Sequence, residues 1–116
     1  MESSTNFMVG SYKWEMKVVD SDSECLILNG ERCFGITDCA NLIIYIVGDG
    51  VDNQIIKTTI IHELTHAYLF SLGIRADAFD EEDVCYFVEA NAWAILNQAQ
   101  KLYHILFDKE VNYEAN

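Results

Sequence analysis

A chain of 116 residues with 19 acidic and 7 basic side chains carries a formal charge of −12 at neutral pH, which argues against any electrostatic grip on nucleic acid or on an anionic membrane. Its 51% hydrophobic content fits one domain, residues 1–116, around a single core. No run of about 18 apolar residues occurs, and the opening Met-Glu-Ser-Ser-Thr-Asn lacks the basic and apolar regions of a signal peptide, so a soluble cytoplasmic protein is expected.

The first half of the chain is strand-like. Tyr12 to Val19 alternates, with Trp14 and Met16 on one face; Cys25 to Leu28 is a short apolar run before the turn Asn29-Gly30, and Arg32 to Ile36 is placed to pair back with it. Asn41 to Val47 is the most apolar strand. After Gly48-Asp49-Gly50 the period becomes helical. Asn53 to Leu72 contains no Pro or Gly, and Ile56, Ile60, Leu64, Ala67 and Phe70 recur at helical spacing, with Asp52 to cap the start and Gly73 to end it. A loop from Gly73 to Phe79 leads to a second long helix, from about Glu81 to Phe107. Its Ala90, Ala92, Trp93, Ile95, Leu96, Leu102, Ile105, Leu106 and Phe107 are expected mostly as core, with any apolar surface left near its end available to a dimer. The expected fold is α+β: a small antiparallel sheet of three to four strands packed on one helix and followed by a second long C-terminal helix.

Cys25, Cys33, Cys39 and Cys85 form no CxxC pair and are expected as small buried side chains. Cys33 and Cys39 flank one turn, but their spacing matches no common zinc pattern. No basic residue lies between Arg75 and Lys101, whereas Asp77, Asp80, Glu81, Glu82, Asp83 and Glu89 do. Asp80 can cap the second helix and the next three carboxylates complement its dipole. The same surface would draw a basic partner and repel an acidic one.

The most specific feature is His62-Glu63-Leu64-Thr65-His66, an HExxH motif inside the first helix. Its three fixed positions coincide by chance in roughly one chain in 300 of this length. Residues four apart on a helix lie one above the other, so both imidazoles can meet one Zn²⁺, and Glu63, about 100° round the helix, can take a proton from the metal's water without ligating. The minimal engine of a zinc hydrolase follows. Two histidines that merely decorate a half-buried helix are the alternative.

The segments Phe34-Gly35-Ile36-Thr37-Asp38 through Leu42-Ile43-Ile44-Tyr45-Ile46, Thr59-Ile60-Ile61-His62-Glu63-Leu64-Thr65-His66-Ala67-Tyr68-Leu69, and Glu81-Glu82-Asp83-Val84-Cys85-Tyr86-Phe87-Val88 resemble the small, often phage-encoded branch of the ImmA/IrrE-type metallopeptidases. The resemblance spans roughly residues 34 to 96. It implies a reduced, gluzincin-like fold in which a sheet packs on the HExxH helix, and a zinc-dependent endopeptidase acting on a regulatory or host protein. It also implies that a glutamate of the following helix is the third metal ligand beside His62 and His66. Among Glu81, Glu82, Asp83, Glu89 and His104, the family pattern of a glutamate three residues before Cys or Ala selects Glu82, with Glu89 as the alternative seven residues later. His104 reads as a surface residue at the helix C-terminus. Glu63 would be the general base, and Tyr68 and Tyr86 are candidate oxyanion partners. Substrate is expected to lie extended along the strand around Arg32 to Ile36. No appended DNA-binding or sensor domain accompanies the motif, and strand stands where the family has a leading helix.

Two other classes compete with this reading. A metal-bearing module that binds a partner without turnover needs the ligands but not Glu63. An acidic inhibitor or nucleic-acid mimic needs neither. The sequence is silent on oligomeric state.

Overall fold

The computed structural model describes residues 3–108. Six strands precede two helices: β1 Ser3–Val9, β2 Tyr12–Val19, β3 Ile27–Leu28, β4 Glu31–Arg32, β5 Gly35–Asp38, β6 Ile43–Val47, α1 Asn53–Ser71 and α2 Glu81–Phe107. One-turn 3₁₀ segments, Glu24–Leu26 and Ala76–Ala78, lie in the connections.

The main sheet has the order β1-β2-β6-β5. β1 with β2 and β5 with β6 are antiparallel, but β2 and β6 run parallel, so the sheet is mixed and the expectation of a purely antiparallel one is corrected. Residues 20–42 carry the chain from one end of the sheet to the other, which lets β6 enter alongside β2 in the same direction. The register matches like with like: Met16 pairs with Ile44 and Val18 with Ile46, and the same rows continue to Thr37 and Gly35 on β5. Each row is apolar in the middle of the sheet and ends in a small or hydroxyl side chain at its edge. β1 went unrecognised in the sequence, although Gly10-Ser11 between two alternating runs is a hairpin signal. β3 and β4 form a separate hairpin around Asn29 and Gly30, whose φ angles of 54° and 80° are those of a type I′ turn.

Phe7, Trp14, Met16, Ile44 and Ile46 meet Ile56, Ile60, Leu64 and Ala67 of α1 and Ile95, Ala99, Leu102 and Leu106 of α2 in one core. Burial of each large aliphatic side chain stabilises by about 1.5–3 kcal/mol. Asp52 caps α1 by accepting from the Ile55 N–H, and beyond its last turn Gly73 takes φ 69°. Trp14 ties the sheet to that end by donating to Ser71 Oγ at 2.8 Å. Phe70 sits at the rim against Trp14 and Tyr12, exposed rather than in the core. Asp80 and Asp83 form a reciprocal capping box at the start of α2.

Only the second half of α2 packs as expected. Its buried residues are Ile95, Ala99, Leu102 and Leu106, and none from Glu81 to Ala94 is buried. Trp93, Leu96 and Ile105, expected as core, are exposed because the helix turns them away from that stripe. The cysteines are likewise not buried. Cys25 and Cys85 are exposed, Cys33 and Cys39 are half-buried, and all four are free. They occupy a surface turn, the unpacked half of α2 and the two ends of β5. No helix among the described residues is long and apolar enough to cross a membrane.

Candidate active site

The buried stripe of α1 runs Ile56, Ile60, Glu63, Leu64, Ala67 and Tyr68, so helical periodicity carries a carboxylate into an otherwise apolar face. Glu63 is 6% exposed and is the one buried charged side chain among the described residues. A buried carboxylate requires a donor. Thr37 supplies it, with its hydroxyl 2.7 Å from Glu63 Oε1 and 3.2 Å from the Glu63 carbonyl oxygen.

The close approach depends on Gly35, which shares a face of β5 with Thr37. A Cβ at Gly35 would stand 2.7 Å from Thr59 Cγ2, 3.0 Å from Glu63 Cγ and 3.2 Å from the Tyr45 carbonyl oxygen. The absent side chain is therefore what lets α1 settle onto the sheet edge. Sequence reasoning assigned no role to Thr37 or Thr59, and Gly35 entered it only as part of the strand expected to receive substrate. Their signal is the two-residue alternation of β5, which becomes informative only once Glu63 is known to lie above it.

One residue before and three residues after Glu63, the imidazoles of His62 and His66 stand 5.1 Å apart, centre to centre, with ring planes at 73°. His62 Nε2 lies 4.0 Å from Glu63 Oε2, and its side chain is 69% exposed. The three motif residues open onto a cleft of about 680 Å³ between α1 and the segment from Leu28 to Cys39. Gly35, Thr37 and Thr59 line it, as do Cys33 and Cys39. β5 is an edge strand. The Val47 N–H donates to the Phe34 carbonyl, and the alternation of an antiparallel pair then turns the backbone groups of Gly35 and Thr37 away from β6.

At the far end of β5, Asp38 accepts from the Asn41 side chain at 2.8 Å and from the Ala40 and Asn41 N–H groups. The Asn41 side chain above all holds this carboxyl below its ordinary value. Burial, and secondarily the charge of Asp38, pushes the Cys39 thiol up.

The remaining sequence candidates do not join the cleft. Glu82 and Glu89 lie on the exposed half of α2, and neither lines it. At 1.5 Å per residue Glu82 is roughly 20 Å along the helix from Ile95, the first buried residue of α2. Tyr68 is buried and donates to Gln98 Oε1 at 2.8 Å, and burial pushes its hydroxyl up. Tyr86 is exposed on α2. His104 pairs with Asp108 at 2.7 Å in a second groove, between the start of α1 and the end of α2.

The Zn²⁺ that the resemblance implies would find two donors, His62 and His66, and no third among the described residues. Among the described residues no group of three or more His, Cys, Asp and Glu side chains is placed to hold a metal ion. The motif pair fits a metal, while the full three-residue set of a catalytic zinc site is not assembled. No protein-family model, no curated protein and no solved structure matches this chain.

Proposed function

We propose that this protein is a zinc-dependent endopeptidase of the HExxH type, acting on a protein substrate that is itself basic. The observation that carries the reading is the placement of Glu63, held by Thr37 at the foot of a cleft that His62 and His66 flank and an edge strand borders. A carboxylate on the buried stripe of a helix costs stability, so its presence there favours a functional role. His62 and His66 would hold the ion, which in such sites supplies an activated water and polarises the scissile carbonyl. Glu63 takes up a proton through Oε2 while Thr37 keeps Oε1 fixed. An extended peptide adds to the outward-facing backbone of Gly35 and Thr37, which orients it across the cleft.

The test is zinc per chain by elemental analysis, together with cleavage of quenched peptides rich in Lys and Arg. Near-stoichiometric zinc that is lost in His62→Ala and His66→Ala, with cleavage abolished in Glu63→Gln, supports the reading. Zinc is expected to persist in Glu82→Ala and Glu89→Ala, since neither carboxylate reaches the cleft. Absence of metal from the wild type even after zinc is added back would sink it. A metal-bearing or acidic binding module without turnover is the second reading, favoured by the want of a third donor among the described residues. It is selected if zinc is bound and no peptide is cut.

A further inference from the structure

The first half of α2 exposes apolar side chains that packing alone does not explain. The buried stripe Ile95, Ala99, Leu102 and Leu106 continues backward as Val84 and Val88, which are exposed although they point the same way round the helix. On the opposite face Tyr86 is 62% and Trp93 78% exposed. Phe87, half-buried against the core and 6.4 Å from the Phe79 ring, anchors this segment on one side only. Large aromatic groups exposed together on one helix face, as Tyr86 and Trp93 are, mark a contact surface.

The charge of the surface selects its occupant. Glu82, Tyr86, Glu89 and Trp93 follow one another at intervals of four, three and four residues, so on a helix they form a single ridge in which carboxylates and aromatic rings alternate. A Lys or Arg side chain laid across it meets a ring face and a carboxylate together. No basic residue of this chain lies between Arg75 and Lys101 to compete. A second copy would bring the same carboxylates against themselves, and nucleic acid would be repelled.

We infer that the first half of α2 is a docking surface for a basic, amphipathic helical segment of another protein, gripped by the Glu82-Tyr86-Glu89-Trp93 ridge. The surface lies outside the cleft and works whether or not the cleft turns substrate over. If the cleft does, the same surface delivers a basic substrate to it.

The experiment titrates the full chain with a synthetic amphipathic helical peptide of leucine and lysine, and with its leucine and glutamate counterpart, by calorimetry and tryptophan emission. Trp14 is fully buried and Trp93 exposed, so a blue shift on binding reports Trp93. The lysine peptide is expected to bind saturably. The Tyr86→Ala/Trp93→Ala and Glu82→Gln/Glu89→Gln proteins should each lose about tenfold or more in affinity while keeping their melting temperature and zinc content. Equal binding of the glutamate peptide, or lysine-peptide binding untouched by both double variants, overturns the proposal. So does conversion of a dimer to a monomer by those variants, which would make a second copy the occupant. Loss of zinc on replacing Glu82 and Glu89 would return these carboxylates to the metal site and overturn it as well.

Discussion

Thr37 on β5 and Glu63 on α1, 26 positions apart in the chain, are joined by a 2.7 Å hydrogen bond that fixes the carboxylate of the HExxH motif. Replacing Thr37 by Val keeps the shape and removes the donor. The loss is expected to be about 1–3 kcal/mol in urea unfolding, the cost of a buried carboxylate without its partner. Peptide cleavage should fall at least about tenfold, and Thr37→Ser should restore both. A Thr37→Val protein with unchanged cleavage would show that Glu63 needs no positioning residue.

Gly35→Ala inserts a methyl group where three atoms of Thr59, Glu63 and Tyr45 already stand within 3.2 Å. The Tyr45 neighbour is a backbone oxygen and does not yield cheaply. Destabilisation of about 1–3 kcal/mol is expected, as for overpacking generally. The melting temperature checks it, and a neutral Gly35→Ala would mean that α1 stands off the edge strand.

His62 and Leu64 are two residues apart and should behave in opposite ways. Leu64 is fully buried, so Leu64→Ala is expected to cost about 2–5 kcal/mol. His62→Ala, in chelated protein, should stay within about 0.5 kcal/mol of wild type. Added zinc at about 100 times its Kd should stabilise the wild type by about 2.7 kcal/mol and leave His62→Ala unmoved. Equal stabilisation of both by zinc would place the metal elsewhere.

Tyr68 makes stability depend on alkaline pH. Burial holds its folded-state pKa above the ordinary 10.0, so the folded protein binds the phenolic proton more tightly than the unfolded chain. This contribution is full below pH 10 and is lost as pH rises through the higher folded value. Tyr45, also raised chiefly by burial, adds to the same loss. Denaturant midpoints of Tyr68→Phe should be lower at neutral pH, for want of the Gln98 bond, yet fall less steeply above pH 10. An identical alkaline slope in both proteins would exclude Tyr68 as the source.

Both helices, their caps and the motif were legible because each rests on local interactions. Asp52 bonds Ile55, Asp80 bonds Asp83, and the spacing of Ile56, Ile60 and Glu63 already puts the glutamate on the buried stripe. The hairpin turn at Asn29-Gly30 was local in the same sense. Periodicity reports which way a side chain points, but it cannot report whether anything waits there. The parallel pairing of β2 with β6, the edge position of β5, the partnership of Thr37 with Glu63 and the room left by Gly35 all join distant segments and were decided only by tertiary packing. So was the fate of α2, whose apolar stripe continues back through Val88 and Val84 and yet is buried only from Ile95 onward.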